Sequence, residues 1–237
     1  MKWIIDFLLS SLGKKLVMSL TGLFLCSFLI MHMIGNLQLF VPDGGLTFNA
    51  YAYFMTHNPL IKTISYGLYA GILLHAFQGI LITMQNRKAK GGKYQGKDIS
   101  ATKAKAASRN MAALGLLVFA FLGLHMVQFW GVMHFSTWPE NGEILPGVQA
   151  FDAAGNKNLY GLVSAAFAQA WVVIFYLVAL VALALHLLHG FWSAFQTLGL
   201  SNTKYEPIIR GAGAGFAILI PLGFAAMPIF FYITSLS

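Results

Sequence analysis

The sequence predicts an all-α integral membrane protein with five transmembrane helices, its N-terminus in the cytoplasm and its C-terminus outside. Of the 237 residues, 58% are hydrophobic and only 9% are charged, whereas a soluble domain carries about a quarter charged residues. A helix that spans the hydrocarbon core needs about 20 apolar residues. Five stretches meet that requirement: residues 16–40, 60–85, 111–135, 167–197 and 208–233.

These five spans follow one another without a soluble block between them, so we expect one membrane domain over residues 1–237. The first ten residues, which include Asp6, are interpreted as an uncleaved cytoplasmic lead-in, because no small-residue cleavage site follows them. Pro221 and Pro228 in the fifth span predict kinks.

Basic residues predict the orientation, because Lys and Arg concentrate in cytoplasmic loops. Thirteen of the fifteen lie on one predicted side, against Lys62 and Lys157 on the other. The thirteen are Lys2, Lys14, Lys15, Arg87, Lys88, Lys90, Lys93, Lys97, Lys103, Lys105, Arg109, Lys204 and Arg210. This distribution also argues against a nucleic-acid partner despite the net charge of +8. Membrane lipid is the predicted environment.

The predicted outer loops are rich in turn residues. Residues 42–45, with the sequence PDGG, predict a turn, and residues 48–56 predict a short interfacial helix. A longer loop covers residues 136–158. The single cysteine, Cys26, lies inside the first span and is interpreted as a small core residue.

Five of the seven histidines lie deep in the predicted spans, where ionisable residues are costly and usually functional. They are His32 in span one, His75 in span two, His125 in span three, and His186 and His189 in span four. No Asp, Glu, Lys or Arg lies in the middle of a span, which disfavours a proton pump or an ion carrier. A single buried histidine could also serve only as a hydrogen-bonding group between helices.

The helical rise of 1.5 Å per residue sorts four of these histidines into two levels. His75 and His186 lie about 16 Å from the cytoplasmic ends of their spans, and His32 and His125 about 23 Å. His75 and His186 also occupy strips of small residues spaced four apart, formed by Gly67, Gly71 and Gly79 and by Ala182 and Gly190. Such strips leave room for a flat macrocycle.

Two neutral imidazoles from different helices at one depth can supply both axial ligands of a haem iron. We therefore predict two b-type haems, one held by His75 and His186 and the other by His32 and His125. With both axial positions filled, the chemistry is electron transfer. In span four His189 remains an alternative, because its local string LLHGF resembles LLHAF around His75. Depth and the small-residue strip favour His186, with His189 near a haem edge, a propionate or a quinone.

With these residues the chain resembles the dihaem cytochrome b membrane anchor of succinate:quinone oxidoreductases, the succinate dehydrogenase and fumarate reductase group, in its single-polypeptide five-helix form. The resemblance covers nearly the whole chain and rests on the helix count, on one axial histidine in each of spans one to four, and on two motifs. These are HMIGN at 32–36 and HLLHGFWS at 186–193, with the axial histidine of the family four residues before its glycine, at His186.

The resemblance implies partners and a place in a respiratory chain. A flavoprotein subunit and an iron–sulfur subunit would dock on the cytoplasmic face of a bacterial inner membrane. Electrons would pass to the His75/His186 haem, then to the His32/His125 haem, and then to a quinone near the outer side, with menaquinone implied by the two-haem type. The direction, succinate oxidation or fumarate reduction, stays open, as do proton coupling and the quinone-site residues.

Two other function classes remain alternatives. The chain could be the cytochrome b anchor of a formate dehydrogenase, hydrogenase or nitrate reductase, although those anchors often place two histidines on one helix. It could instead be a transporter or a haem-free scaffold, which the missing buried charges and the absence of an inverted sequence repeat disfavour.

Overall fold

The computed structural model describes residues 2–89, 103–140, 142–200 and 202–237. It is 81% helical. Five helices within these ranges are long and apolar enough to cross a membrane, which confirms the predicted number. Their candidate spans are Ser11–Phe40, Pro59–Lys88, Asn110–Phe135, Ala170–Thr197 and Glu206–Ser235. Three of the basic residues used for the predicted orientation, Lys90, Lys93 and Lys97, lie outside the described residues.

Helices account for almost every element of the fold. In chain order they are α1 (Lys2–Leu9), α2 (Ser11–Asn36), α3 (Leu46–His57), α4 (Pro59–Ala89), α5 (Lys103–His125), α6 (Val132–Phe135), α7 (Leu159–Phe167), α8 (Ala170–Thr197) and α9 (Glu206–Ser235). A 3₁₀ turn, Leu37–Phe40, extends α2. A π-helical segment, Met126–Gly131, joins α5 to α6 and begins directly after His125.

The elements outside the spans differ in part from expectation. A helix does form around residues 48–56, as α3. The fourth span was predicted from Phe167, but Phe167 is the last residue of α7, and α8 begins at Ala170. The separation occurs at Gln169, whose carbonyl accepts the N–H groups of Val172 and Val173 and so starts a new helix. The chain from 136 to 158 contains a short antiparallel hairpin, β1 (Glu143–Leu145) and β2 (Val148–Gln149).

Contacts divide the chain into two compact units, neither of which is a continuous stretch of sequence. Unit 1 comprises Met1–Phe28, Leu68–Phe119 and Ala182–Leu219, and unit 2 comprises Leu29–Gly67, Ala120–Val181 and Ile220–Ser237. Each of the five long helices therefore contributes residues to both units. The helix α9 continues through both prolines, and Pro228 is fully buried.

Aromatic side chains form the core of unit 2. Phe167 and Tyr176 make an edge-to-face contact with ring centres 4.9 Å apart, and Phe129 and Phe231 lie in the same buried cluster. In unit 1 glycines allow close approach instead, since a Cβ on Gly213 would lie 2.7 Å from the ring of Phe191. Each unit contains one pair of the deep histidines.

Candidate functional site

The histidine pair of unit 1 joins α4 and α8. The rings of His75 and His186 have centres 6.2 Å apart and planes inclined by 70°. Both side chains are only partly exposed. The fourth-span ring that meets His75 is therefore that of His186.

The pair of unit 2 joins α2 and α5. The rings of His32 and His125 have centres 5.9 Å apart and planes inclined by 86°. Aromatic rings surround them, with Phe224 on α9 centred 5.5 Å from His32 and Phe129 centred 5.4 Å from His125. One of these rings, Phe224, comes from α9, a helix that carries neither histidine of the pair.

The spacing of both pairs suits two imidazoles that share one metal. An imidazole nitrogen binds a first-row metal at about 2 Å, and the ring centre lies roughly 1 Å beyond that nitrogen, so two opposed rings have centres about 6 Å apart. A steep angle between the planes is compatible with this arrangement, because each ring can rotate about its metal–nitrogen bond. A protein-only metal site takes three or four ligands, whereas a haem iron takes two axial ones.

Glycines on neighbouring helices leave space for the two rings of unit 1. A Cβ on Gly22 of α2 would lie 3.2 Å from Cε1 of His75, and a Cβ on Gly115 of α5 would lie 3.3 Å from Cε1 of His186. Both distances are tighter than ordinary carbon contacts, so a larger residue at either position would push the ring aside. Gly22 thus leaves space for the ring of His75, and Gly115 leaves space for the ring of His186.

Hydroxyl groups contact Nδ1 of one histidine in each pair. Thr21 Oγ1 lies 3.2 Å from Nδ1 of His75, and the Tyr176 hydroxyl lies 3.2 Å from Nδ1 of His125. The Tyr176 hydroxyl also donates to Oε1 of Gln128 at 2.7 Å, and Thr21 donates to the Val17 carbonyl at 2.7 Å. When each hydroxyl donates its proton to its oxygen acceptor, the hydroxyl oxygen can accept from the ring. In that arrangement the imidazole proton lies on Nδ1, and Nε2 is the metal-binding nitrogen.

The other two histidines are held differently. Nδ1 of His186 is buried and has no hydrogen-bond partner among the described residues, so no neighbour fixes which nitrogen carries the proton. Nδ1 of His32 lies 3.3 Å from Nδ2 of Asn36, an amide donor that also donates to the His32 carbonyl at 2.7 Å. This contact favours a proton on Nε2, so His32 is the ring least prepared for coordination through that nitrogen.

The remaining histidines lie in other surroundings. His189 on α8 is partly exposed. His57 is exposed and stacks on Tyr53, and His134 is exposed and stacks on Trp130.

Sequence reasoning missed the residues that support the pairs: Thr21, Gly22, Gly115, Gln128 and Tyr176. Each acts on a histidine of another helix or through a residue that does, so spacing along one helix carries no sign of it. A sequence signal exists only for Gln128, a polar side chain three residues after His125 and on the same helical face.

Comparisons of this chain with protein-family models, with curated proteins and with solved structures find no match. The ring spacing of both pairs, the glycine clearances in unit 1 and the hydroxyl contacts at Nδ1 of His75 and His125 fit bis-imidazole haem sites. The Asn36 amide at Nδ1 of His32 is the one contact described above that does not.

Proposed function

We propose that this chain is the dihaem cytochrome b membrane anchor of a succinate:quinone oxidoreductase. The observation that carries the proposal is the occurrence of two separate interhelical histidine pairs, with ring centres 6.2 Å and 5.9 Å apart. His75 and His186 would hold one haem b, and His32 and His125 the other. When bound, a b-type haem with two axial histidines supplies one-electron transfer and leaves no iron position for oxygen or substrate.

The chain's own residues would bind and orient the two groups. Gly22 and Gly115 provide clearance for the rings of unit 1, and the hydroxyls of Thr21 and Tyr176 hold a proton on Nδ1 of their histidines. In a membrane, the apolar residues of the five long helices would keep water away from the imidazoles. In a dry environment neutral histidines are the least costly nitrogen ligands.

The proposed setting is the inner membrane of a bacterium, with the N-terminus inside and the C-terminus outside. A flavoprotein subunit and an iron–sulfur subunit would dock on the cytoplasmic face, and membrane quinone, proposed as menaquinone, would be the other redox partner. Both the family and these partners rest on the resemblance of the sequence motifs at 32–36 and 186–193.

A reduced-minus-oxidised spectrum of the chain purified in detergent tests the haem proposal. We expect two low-spin b-type haems per chain, and a colourless preparation would overturn the proposal. Alanine at His75 or at His186 should remove the same haem, whereas alanine at His32 or at His125 should remove the other. His57→Ala and His134→Ala are matched controls, because both side chains are exposed, and they should keep both haems.

A second experiment distinguishes the proposed complex from other quinone-linked oxidoreductases. The tagged chain would be purified from membranes of its own source cells, and electron transfer to a menaquinone analogue would be assayed with succinate, formate and hydrogen, and in reverse with fumarate and nitrate. We expect activity with succinate or fumarate and copurification of a flavoprotein and an iron–sulfur protein. Activity with formate, hydrogen or nitrate alone would assign the chain to another complex.

A further inference from the structure

The hydrogen bonds around Tyr176 run in one direction. Its hydroxyl donates to Oε1 of Gln128 at 2.7 Å, and its oxygen lies 3.2 Å from Nδ1 of His125. A phenol has one proton to donate. While the Tyr176 hydroxyl donates to Oε1 of Gln128, its oxygen accepts from Nδ1–H of His125. Gln128 thus acts on the tautomer of His125 through Tyr176.

Thr21 contacts His75 as Tyr176 contacts His125, except that the Thr21 hydroxyl donates to a backbone carbonyl rather than to a glutamine side chain. The Thr21 hydroxyl donates to the Val17 carbonyl at 2.7 Å, with the Met18 carbonyl at 3.1 Å, and its oxygen lies 3.2 Å from Nδ1 of His75. Each histidine pair therefore contains one ring that donates to a hydroxyl.

We propose that Tyr176 and Thr21 are positioning residues that lower the reduction potentials of the two haems, each acting through one axial histidine. The proposal rests on the proposed function. A histidine that donates its Nδ1–H to an acceptor becomes a more basic ligand at Nε2. A more basic ligand stabilises ferric over ferrous iron, and second-shell hydrogen bonding is one of the means by which a protein sets a haem potential.

The surroundings make the effect of Tyr176 the larger of the two. Its side chain is 7% exposed and lies edge to face with Phe121 and Phe167, with ring centres 4.9 Å away in both cases. Thr21 is only partly buried. Hydrogen bonds strengthen where water is excluded, so the loss of the Tyr176 hydroxyl should change its haem more than the loss of the Thr21 hydroxyl changes the other.

The test is a spectroscopic redox titration of the purified holoprotein, with the two haems distinguished by the histidine substitutions described above. Tyr176→Phe should raise the potential of the His32/His125 haem alone, by about tenfold in the ferrous-to-ferric ratio, or about 59 mV for one electron. Thr21→Val should raise the potential of the His75/His186 haem alone, by less. Thr21→Ser keeps a hydroxyl, so the potential of the His75/His186 haem should stay at its wild-type value.

Two further variants keep the result interpretable. Tyr160→Phe removes a phenol oxygen from an aromatic contact with Phe231 in the same unit and should leave both potentials unchanged. Gln128→Leu keeps the Tyr176 hydroxyl but removes its acceptor, so it should shift the same haem as Tyr176→Phe in the same direction and by less.

Failure of this inference differs from failure of the proposed function. Two haems whose potentials do not move in Tyr176→Phe and Thr21→Val would overturn the inference and leave the proposed function standing. A wild-type chain without haem would overturn both. If Tyr176→Phe loses its haem, Gln128→Leu decides: an unshifted potential in that variant would overturn the role of Tyr176.

Discussion

His75 on α4 and His186 on α8 meet with ring centres 6.2 Å apart. Gly22 of α2 lies beside the His75 ring, and Gly115 of α5 lies beside the His186 ring. The pair thus depends on four helices at once: α4 and α8 supply the imidazoles, and α2 and α5 supply the space beside them. Substitutions at these four positions should therefore affect the haem proposed for His75 and His186.

His186 and His189 compete for the role of the second axial ligand of unit 1. His186→Ala should remove the haem shared with His75, because its ring is the one that faces His75. His189→Ala is the control on the same helix and should retain both haems, measured as haem per chain by the alkaline pyridine spectrum. Retention in His186→Ala together with loss in His189→Ala would reverse the assignment.

Gly22→Val and Gly115→Val should each displace a ring of unit 1. A Cβ at these positions would lie 3.2 Å and 3.3 Å from the rings of His75 and His186, and valine adds two methyl groups. We expect either variant to lose one of the two haems. Gly211→Val is the matched control, since its Cβ would meet no described atom within 4 Å apart from its chain neighbours and the nearby backbone of its own helix. Equal haem loss in that variant would attribute the effect to valine in a helix rather than to the rings.

Asn49 on α3 should be important for stability. It is 1% exposed, donates to Asp152 Oδ2 at 3.1 Å and Asn158 Oδ1 at 3.3 Å, and accepts from the Tyr160 N–H at 2.9 Å. Asn49→Ala leaves that partly buried N–H without its acceptor, which should lower the free energy of unfolding by about 1–3 kcal/mol. Denaturation in detergent measures the change. Asn110→Ala, at an exposed position, should unfold like the wild type.

Asp43, outside the spans, should make the start of α3 sensitive to acid. Hydrogen bonds from the Thr47 hydroxyl and amide, and then from Gly45 and Leu46, hold the pKa of Asp43 below its usual value of 3.8. Because the folded pKa is lowered, the stabilisation is present above pH 3.8 and is lost as the pH falls through the folded pKa.

Carbon NMR of the Asp43 carboxyl group gives its titration midpoint directly. We expect a midpoint below 3.8 in the folded chain, and Thr47→Val should move it upward because the largest contribution, the hydroxyl, is removed. A midpoint that Thr47→Val leaves in place would show that the hydroxyl does not hold the carboxylate.

Local composition was sufficient for the five long helices and for the position of α3. Hydropathy over a run of about 20 residues is a property of the run itself, so it needs no knowledge of neighbours. The hairpin at 143–149 was not predicted, because its strands are only three and two residues long and its turn depends on Gly147 at a φ of +78°. Strands this short carry too few alternating residues for a pattern.

The depth of His32, His75, His125 and His186 followed from counting residues along helices of fixed rise. The supporting contacts did not, because Thr21, Gly22, Gly115 and Tyr176 act across helix interfaces. A sequence lists what each helix presents on every face, but only packing selects which faces meet, and hydrogen-bond partners and clearances are properties of those meetings. The tertiary structure alone therefore decided which hydroxyl contacts which imidazole and which glycine lies beside it.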